Sequence, residues 1–332
     1  MVITPPDSAM FTPAWWVPGA HAQTLWGKFA RRISLPSTGY LERWDTADRD
    51  FLDIFRVPAP AGAPRLLILH GLEGTIRSHY ARGILQRAAA AGWAADLLIF
   101  RGCGTEPNRA PRFYHSGETG DLAFVAERIS REHPHAPLFL VGYSLGGNVL
   151  LKWLGEREAV HPPQVRAAVA VSVPYELEAG AGYIHRGFSR VYERHFLRTL
   201  KEKAAAKLER FPGLVNAVAL EAADTIVAFD EAVTARIHGF ANAHDYYQRS
   251  SAIGFLTGIR VPTMLISAYD DPFLPPEVLR EVGVLAARNS SLHPCFSARG
   301  GHVGFVSGAV PGRPVYFSED ASMAFFQAHL EA

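Results

Sequence analysis

Short apolar runs alternate with segments of helical spacing along most of the chain. The runs with strand character lie at residues 65–69, 92–100, 137–141, 166–172 and 262–268. Helical spacing follows at about 80–91, 118–132, 148–154, 277–287 and 319–329. Buried apolar strands that alternate with helices are typical of a parallel sheet covered on both faces. The pattern therefore predicts an α/β fold with a mostly parallel central sheet.

Two further runs are expected at the edges of this sheet. Residues 40–57 alternate, with Phe51, Asp53 and Phe55 on one face, which predicts an antiparallel pair at one edge. The run at 291–297 is the last expected strand. It contains Pro294, which lacks a backbone N–H and is therefore expected at an edge.

Residues 174–255 interrupt the alternation. They contain no strand run, and 192–211 and 224–240 have helical character. We interpret 174–255 as a helical cap inserted into a core formed by 40–173 and 256–332. Ordinary peripheral helices without a substrate role are the alternative.

The first 39 residues are rich in aromatic side chains, and prolines interrupt the stretch 10–30. We expect an irregular segment that packs its aromatics onto the core, since proline breaks helices. An interfacial anchor or part of an apolar substrate entrance is the alternative.

Composition narrows the functional classes. The chain has 332 residues, 48% of them hydrophobic, which is enough for a large core. Its 33 basic and 32 acidic residues provide no electrostatic attraction for nucleic acid or an anionic membrane surface. The 14 histidines show no metal-ligand spacing, so neither a metal nor a cofactor is expected.

Location is predicted from what the sequence lacks. Cys103 and Cys295 do not form a disulfide framework, which favours a reducing compartment. We find no signal-peptide pattern at the start and no apolar stretch of about 20 residues that could span a membrane. These features predict a cytoplasmic protein with no integral membrane segment, and they leave its oligomeric state open.

A glycine-rich motif joins the run at 137–141 to the following helix. Gly142-x-Ser144-x-Gly146 stands where a buried strand turns sharply into a helix. This arrangement is the nucleophile elbow of an α/β-hydrolase, in which the serine oxygen is exposed at a strained turn. Ser144 is therefore the candidate nucleophile.

A serine hydroxyl needs a histidine to accept its proton and a carboxylate to orient that histidine. In this fold the three groups follow in the order serine, acid, histidine, at the carboxyl ends of strands. We assign His302 as general base and then acid, and Asp271 as the orienting acid because it lies four residues before Pro275. Asp270 is the alternative acid, and otherwise caps the turn or binds loop amides.

Two backbone N–H groups are expected to form the oxyanion hole. One belongs to Leu145, which follows the nucleophile, and the other to Leu72, in the loop at 70–74 after the first central strand. His70, at the end of that strand, is expected to pack and bind backbone rather than act as a base.

Seven motifs in order resemble the YheT-type branch of α/β-hydrolases, which also contains eukaryotic ABHD-type enzymes and yeast ethyl ester synthases. The motifs are HAQTLW at 21–26, HGLEG at 70–74, FRGCG at 100–104, YHSG at 114–117, GYSLGGN at 142–148, DDPF at 270–273 and GGHVGF at 300–305. The resemblance implies a serine hydrolase acting on carboxylic esters, with acyl transfer to alcohols as an alternative. The chain begins without the N-terminal membrane anchor of the eukaryotic members, so membrane phospholipids are not the expected substrates.

The sequence thus predicts hydrolysis of small-molecule or lipid-like esters, with short to medium acyl chains, through an acyl-enzyme. An acyltransferase or ester synthase, and a hydrolase-fold binding protein without turnover, are the alternatives. Arg101 and Arg109 are expected to form ion pairs, with recognition of an anionic head group as the alternative. Cys103 is expected to be a small packed residue rather than a reactive thiol.

Overall fold

The computed structural model describes residues 11–156 and 161–330. The central sheet consists of β1 Tyr40–Asp45, β2 Phe51–Val57, β3 Arg65–Leu69, β4 Ala94–Ile99, β5 Leu138–Tyr143, β6 Val165–Val171, β7 Thr263–Ala268 and β8 Leu292–Ser297. Their spatial order is β1-β2-β4-β3-β5-β6-β7-β8. A separate two-stranded pair is formed by β9 Val306–Ser307 and β10 Val315–Tyr316.

The helices are α1 Gly19–Phe29, α2 His79–Ala90, α3 Gly120–Glu132, α4 Leu145–Glu156, α5 Leu177–Ile184, α6 Arg190–Arg210, α7 Ala217–Ala222, α8 Ile226–Phe229, α9 Ala235–His238, α10 Ala243–Ser250, α11 Pro276–Ala286 and α12 Phe317–Ala328. A π-helical stretch, Asp230–Thr234, joins α8 to α9. Short 3₁₀ turns cover Gly187–Ser189 and Ala252–Gly258.

The predicted α/β fold is confirmed. The six strands that are adjacent in the order β4, β3, β5, β6, β7 and β8 pair in parallel, and β1 and β2 add an antiparallel edge. β8, which contains Pro294, forms the opposite edge, as predicted. Every residue of β3, β4 and β5 is buried because helices cover both faces of the sheet centre. This arrangement brings the loops that follow the parallel strands to one edge of the sheet.

Residues 174–255 are helical between β6 and β7, and they contain no strand. Part of this segment has a small apolar core of its own, formed by Leu197, Ala204, Val215, Leu220, Ala223, Phe229 and Val233. Asn148 on α4 ties the end of the segment to the sheet domain. Its amide donates to the Ser250 carbonyl at 2.7 Å and accepts from the Ala252 N–H at 2.9 Å. The division into core and cap stays a prediction.

The expectation of an irregular stretch at 10–30 is wrong for residues 19–29, which form α1. Pro13 and Pro18 precede this helix, so neither removes a hydrogen bond from its interior, and Pro18 provides its extended N-terminal cap. Trp16 and Trp26 pack together with ring centroids 4.9 Å apart, whereas Trp15 and Phe29 remain 71% and 76% exposed. Residues 1–10 of the predicted aromatic segment lie outside the described residues.

Within the described residues, no helix combines the length and the apolar character needed to cross a membrane.

Candidate active site

Ser144 stands at the turn between β5 and α4 with a left-handed backbone, φ 52°. A non-glycine residue in this region stores strain and is common at functional sites. The glycines two residues before and two residues after Ser144 are required because a side chain would not fit at either position. A Cβ on Gly142 would lie 2.5 Å from the Gly146 carbonyl oxygen, and one on Gly146 would lie 2.5 Å from the His70 carbonyl oxygen. The close approach of helix and strand thus explains the G-x-S-x-G spacing.

The structure brings Ser144, His302 and Asp271 together. His302 Nε2 lies 2.9 Å from Ser144 Oγ, and its Nδ1 lies 2.9 Å from Asp271 Oδ2. An ionised carboxylate only accepts hydrogen bonds, so Nδ1 carries the proton and Nε2 accepts from the serine hydroxyl. The side chains of His302 and Asp271 are only 10% and 2% exposed. The imidazole is therefore held in the tautomer that can remove a proton from Ser144.

Asp270 and Asp271 have different partners. Asp271 faces His302 and also accepts from the Phe273 N–H at 2.8 Å, which fixes its carboxylate. Asp270 accepts from the Gly301 N–H at 2.9 Å and so binds the loop that carries His302. Burial raises the pKa of Asp270, and the backbone N–H of Gly301 partly opposes the shift. The structure thus places Asp271, and not Asp270, against the imidazole.

Helix α1 supports the loop that carries His302, a role that was not predicted from the sequence. Thr24 Oγ1 accepts from the His302 N–H at 2.9 Å. Gln23 Oε1 accepts from the Val306 N–H at 2.7 Å, and its Nε2 donates back to the Val306 carbonyl at 3.0 Å. A Cβ on Gly301 would lie 2.4 Å from the Ala20 carbonyl oxygen. The HAQTLW motif at 21–26 was a sequence signal for this role. Its contacts could not be predicted from local patterns, because the partners lie about 280 residues away in the sequence.

The loop after β3 lies beside Ser144, and Leu72 and Leu145 line the same cavity as Ser144 and His302. Among the described residues, none accepts a hydrogen bond from the backbone N–H of either leucine. Tyrosines fix the loop on both sides of Leu72: Tyr80 Oη accepts from the Gly71 N–H at 2.9 Å, and Tyr114 Oη from the Glu73 N–H at 2.8 Å. The N–H groups of Leu72 and Leu145 therefore stay the predicted oxyanion-hole donors.

His70 binds backbone, as expected. Its Nδ1 lies 2.7 Å from the Gly71 carbonyl oxygen, and its Nε2 accepts from the Phe100 N–H at 3.1 Å. Burial lowers the pKa of His70 to about 4, so the ring is neutral at pH 7. Both ring nitrogens are engaged, and His70 supports the loop rather than supplying a second base.

Lys203 of α6 reaches from the helical segment to the loop after β3. Its Nζ lies 2.8 Å from Glu73 Oε1 and 3.5 Å from Cys103 Sγ. Burial disfavours the charge on Lys203, but its two partners together raise its pKa. Burial also raises the pKa of Cys103 to about 11, so the thiol stays protonated at neutral pH. This environment fits a packed cysteine rather than a nucleophile.

Arg101 and Arg109 form ion pairs, as expected. Arg101 makes two hydrogen bonds of 2.7 Å to Asp121 and a further one of 2.8 Å to Asp50. Arg109 pairs with Asp45 at 2.9 Å on the surface. Neither arginine lines the cavity that contains Ser144.

A cavity of about 670 Å³ extends from Ser144 between the sheet domain and the helical segment 174–255. This volume lies within the range of about 300–1,000 Å³ typical of small-molecule sites. Much of the wall contributed by the helical segment is apolar, including Leu177, Ala181, Ile184, Phe196, Phe229 and Val233. In the part of the chain that the structure describes, no group of three or more His, Cys, Asp or Glu residues is arranged to hold a metal ion.

Residues 64–309 match the family described as the alpha/beta hydrolase fold. The chain belongs to the α/β-hydrolase family. It is 41% identical to the Escherichia coli protein named "Putative esterase YheT" over 98% of this chain and 95% of that protein. The resemblance to the YheT-type branch is thereby confirmed, and the family supports a hydrolase.

More distant relatives have names that refer to lipids. The chain is 28% identical to a Saccharomyces cerevisiae monoacylglycerol lipase, with 64% of this chain and 48% of that protein aligned. It is also 28% identical to the mouse phospholipase ABHD3, with 81% of this chain and 64% of that protein aligned. The chain therefore spans about half to two thirds of these two relatives.

Solved structures show the same fold at low sequence identity. The Pyrococcus furiosus esterase Pf2001 superposes with a TM-score of 0.54 at 14% identity, covering 82% of this chain and 90% of that one. DcsB, solved in complex with a substrate analogue, superposes with a TM-score of 0.58 at 15% identity, covering 89% and 100%.

We expect Thr24→Val to lower the free energy of unfolding by about 1–2 kcal/mol, because it leaves the His302 N–H without its acceptor while keeping the side-chain shape. Denaturant unfolding measures the change. Thr257→Val, on an exposed site, is the control, and its free energy of unfolding should stay within about 0.5 kcal/mol of the wild-type value. Equal stability of the Thr24→Val and wild-type proteins would contradict the supporting role of α1.

Proposed function

We propose that the protein is a serine hydrolase that cleaves carboxylic esters through an acyl-enzyme intermediate. The observation that carries this proposal is the position of His302, whose two ring nitrogens each lie 2.9 Å from an oxygen, one of Ser144 and one of Asp271. This is the geometry of a nucleophile, a base and an orienting acid. Membership of the α/β-hydrolase family supports the same reaction class.

In the proposed reaction, Ser144 Oγ attacks the ester carbonyl carbon while His302 Nε2 takes the hydroxyl proton. The N–H groups of Leu72 and Leu145 stabilise the negative charge that develops on the carbonyl oxygen. His302 then gives its proton to the departing alcohol as the ester C–O bond breaks. A water molecule, deprotonated by the same imidazole, attacks the acyl-enzyme, and release of the acid returns the proton to Ser144.

The proposed substrates are lipid-like esters with short to medium acyl chains. The apolar wall that residues 174–255 contribute to the cavity suits an acyl chain, and we propose that this segment acts as the cap. The names of the yeast and mouse relatives refer to lipid esters, which supports this substrate class. A cytoplasmic location is part of the proposal and fits the two free thiols, Cys103 and Cys295.

We expect Ser144→Ala to lower kcat for p-nitrophenyl esters at least about a thousandfold, because no other group on the chain is proposed to form the acyl bond. Initial rates across the series from acetate to palmitate measure this loss and define the preferred chain length. Ser37→Ala, on an exposed site, is the matched control and should keep the wild-type rate. Wild-type turnover by the folded Ser144→Ala protein would contradict the proposal.

The two neighbouring aspartates provide a further test. We expect Asp271→Asn to lower kcat about 10³- to 10⁴-fold, because an amide at this position favours the wrong tautomer of His302. Asp270→Asn should cost far less, since its carboxylate binds the Gly301 N–H and not the imidazole. Steady-state kinetics on the preferred ester compares the two variants. A larger loss in Asp270→Asn would reverse the assignment.

A further inference from the structure

A stripe of polar side chains, separate from His195 and Lys203 of α6, crosses the wall that the helical segment gives to the cavity. Asp230, Thr234 and His238 are spaced four residues apart through the π-helical stretch and α9, and all three line the cavity that contains Ser144. Tyr246 and Tyr247 of α10 line it beside them. We call these five residues the polar cluster. Stretches of π-helix are rare and often occur at functional sites.

Asp230 is the charged member of the polar cluster. Its Oδ1 accepts from Thr234 Oγ1 at 2.6 Å, and its Oδ2 accepts from Tyr247 Oη at 2.8 Å. Asp230 is half-buried and lines the cavity. None of the ion pairs among the described residues includes Asp230. Each carboxylate oxygen can accept two hydrogen bonds, so both retain capacity beyond their protein partners.

The burial and charge of the groups around Asp230 determine which kind of ligand group it can bind. Burial raises its pKa to about 6, so the carboxylate is mostly ionised above pH 7. The His238 ring lies 4.4 Å from that of His115, and burial lowers the pKa of His238 to about 4, with a further contribution from the positive charge of Arg112. Both histidine rings are neutral, because burial also lowers the pKa of His115.

Burial and the charge of Asp230 together disfavour an ionic ligand of either sign. An anionic group would be repelled by the Asp230 carboxylate, and a charged group of either sign would lose its hydration in this buried, largely apolar part of the cavity. An uncharged hydroxyl can donate to Asp230 without either penalty. A charge-assisted hydrogen bond of this kind is stronger than one between neutral groups.

We propose that the polar cluster is a binding subsite for an uncharged hydroxyl group of the ester substrate, remote from the bond that is cleaved. The proposal rests on the proposed function, since it places the reacting ester at Ser144 in the same cavity. It assigns substrate selectivity to Asp230, supported by Thr234 and Tyr247. The hydroxyl belongs to either the alcohol or the acyl part of the ester, and matched substrates distinguish the two.

Two pairs of esters test the proposal. Glycerol monobutyrate and propyl butyrate differ by hydroxyls in the alcohol part, and methyl 6-hydroxyhexanoate and methyl hexanoate differ by one in the acyl part. We expect wild type to prefer the hydroxylated member of one pair at least about tenfold in kcat/KM. Asp230→Asn should reduce this ratio about tenfold, whereas damage to the fold alone would lower both rates and leave the ratio unchanged.

Asp224→Asn is the matched control, because Asp224 is an exposed aspartate in the same segment, and this variant should keep the wild-type ratio. Asparagine keeps the shape of Asp230 and removes a buried charge, so the variant is expected to fold. Asp230→Ser serves as a second variant, with the same expected loss of selectivity. A wild-type ratio near one in both pairs, or an unchanged ratio in both Asp230 variants, would overturn the proposal.

Failure of the proposed function would appear differently. If wild type turned over none of these esters and no p-nitrophenyl butyrate, the proposed function would be contradicted. In that case, binding tests whether the subsite exists. Calorimetry measures the affinity of the Ser144→Ala protein for the same ester pairs. Tighter binding of one hydroxylated ester, weakened about tenfold by Asp230→Asn in the Ser144→Ala background, supports the subsite, and equal binding within both pairs overturns it.

Discussion

The contact between His302 and Ser144 depends on a loop that several distant parts of the chain hold in place. Asp271 and Asp270 bind it from the turn after β7, Thr24 binds it from α1, and Ser172 Oγ accepts from the Val303 N–H at 2.9 Å after β6. A histidine on a free loop would lose its orientation to conformational entropy. The imidazole is preorganised because these supports come from α1 and from residues that closely follow the buried strands β6 and β7.

Backbone strain is concentrated at the same edge of the sheet. Six non-glycine residues in the described chain have φ near +50 to +60°, and five of them follow strands at this edge: Glu73, Ser144, Ser172, Val303 and Phe305. Such conformations persist only where the surrounding structure fixes them. Here the hydrogen bonds of Tyr114 to the Glu73 N–H and of Ser172 to the Val303 N–H supply that support. Part of the stability gained in the core is therefore used to hold these loops.

The sheet and the elbow could be predicted because their signals are local. Apolar runs bounded by turns identify buried strands, and glycines on both sides of Ser144 identify a tight strand-to-helix turn. Helix α1 was missed because Pro13 and Pro18 suggested disruption, although both precede the helix. The role of Thr24 depends on a contact with His302 that no local pattern encodes. The partner of each aspartate likewise follows from the loop geometry, which spacing alone does not define.

The cavity is lined both by the helical segment and by Ser144. Lys203 connects α6 to the loop after β3 through Glu73, and the polar cluster lies on the wall that the π-helical stretch, α9 and α10 provide. The spacing of Asp230, Thr234 and His238 was visible in the sequence. Without the fold it could not be distinguished from a solvated helix face.

The central claim is that Ser144 forms the covalent intermediate. The most direct test is labelling of the wild-type protein with a fluorophosphonate, followed by peptide mapping by mass spectrometry. We expect a single adduct on Ser144, abolished in Ser144→Ala and strongly slowed in His302→Ala, because the imidazole must remove the hydroxyl proton. No labelling of the folded wild-type protein, or an adduct on another residue that persists in Ser144→Ala, would contradict it.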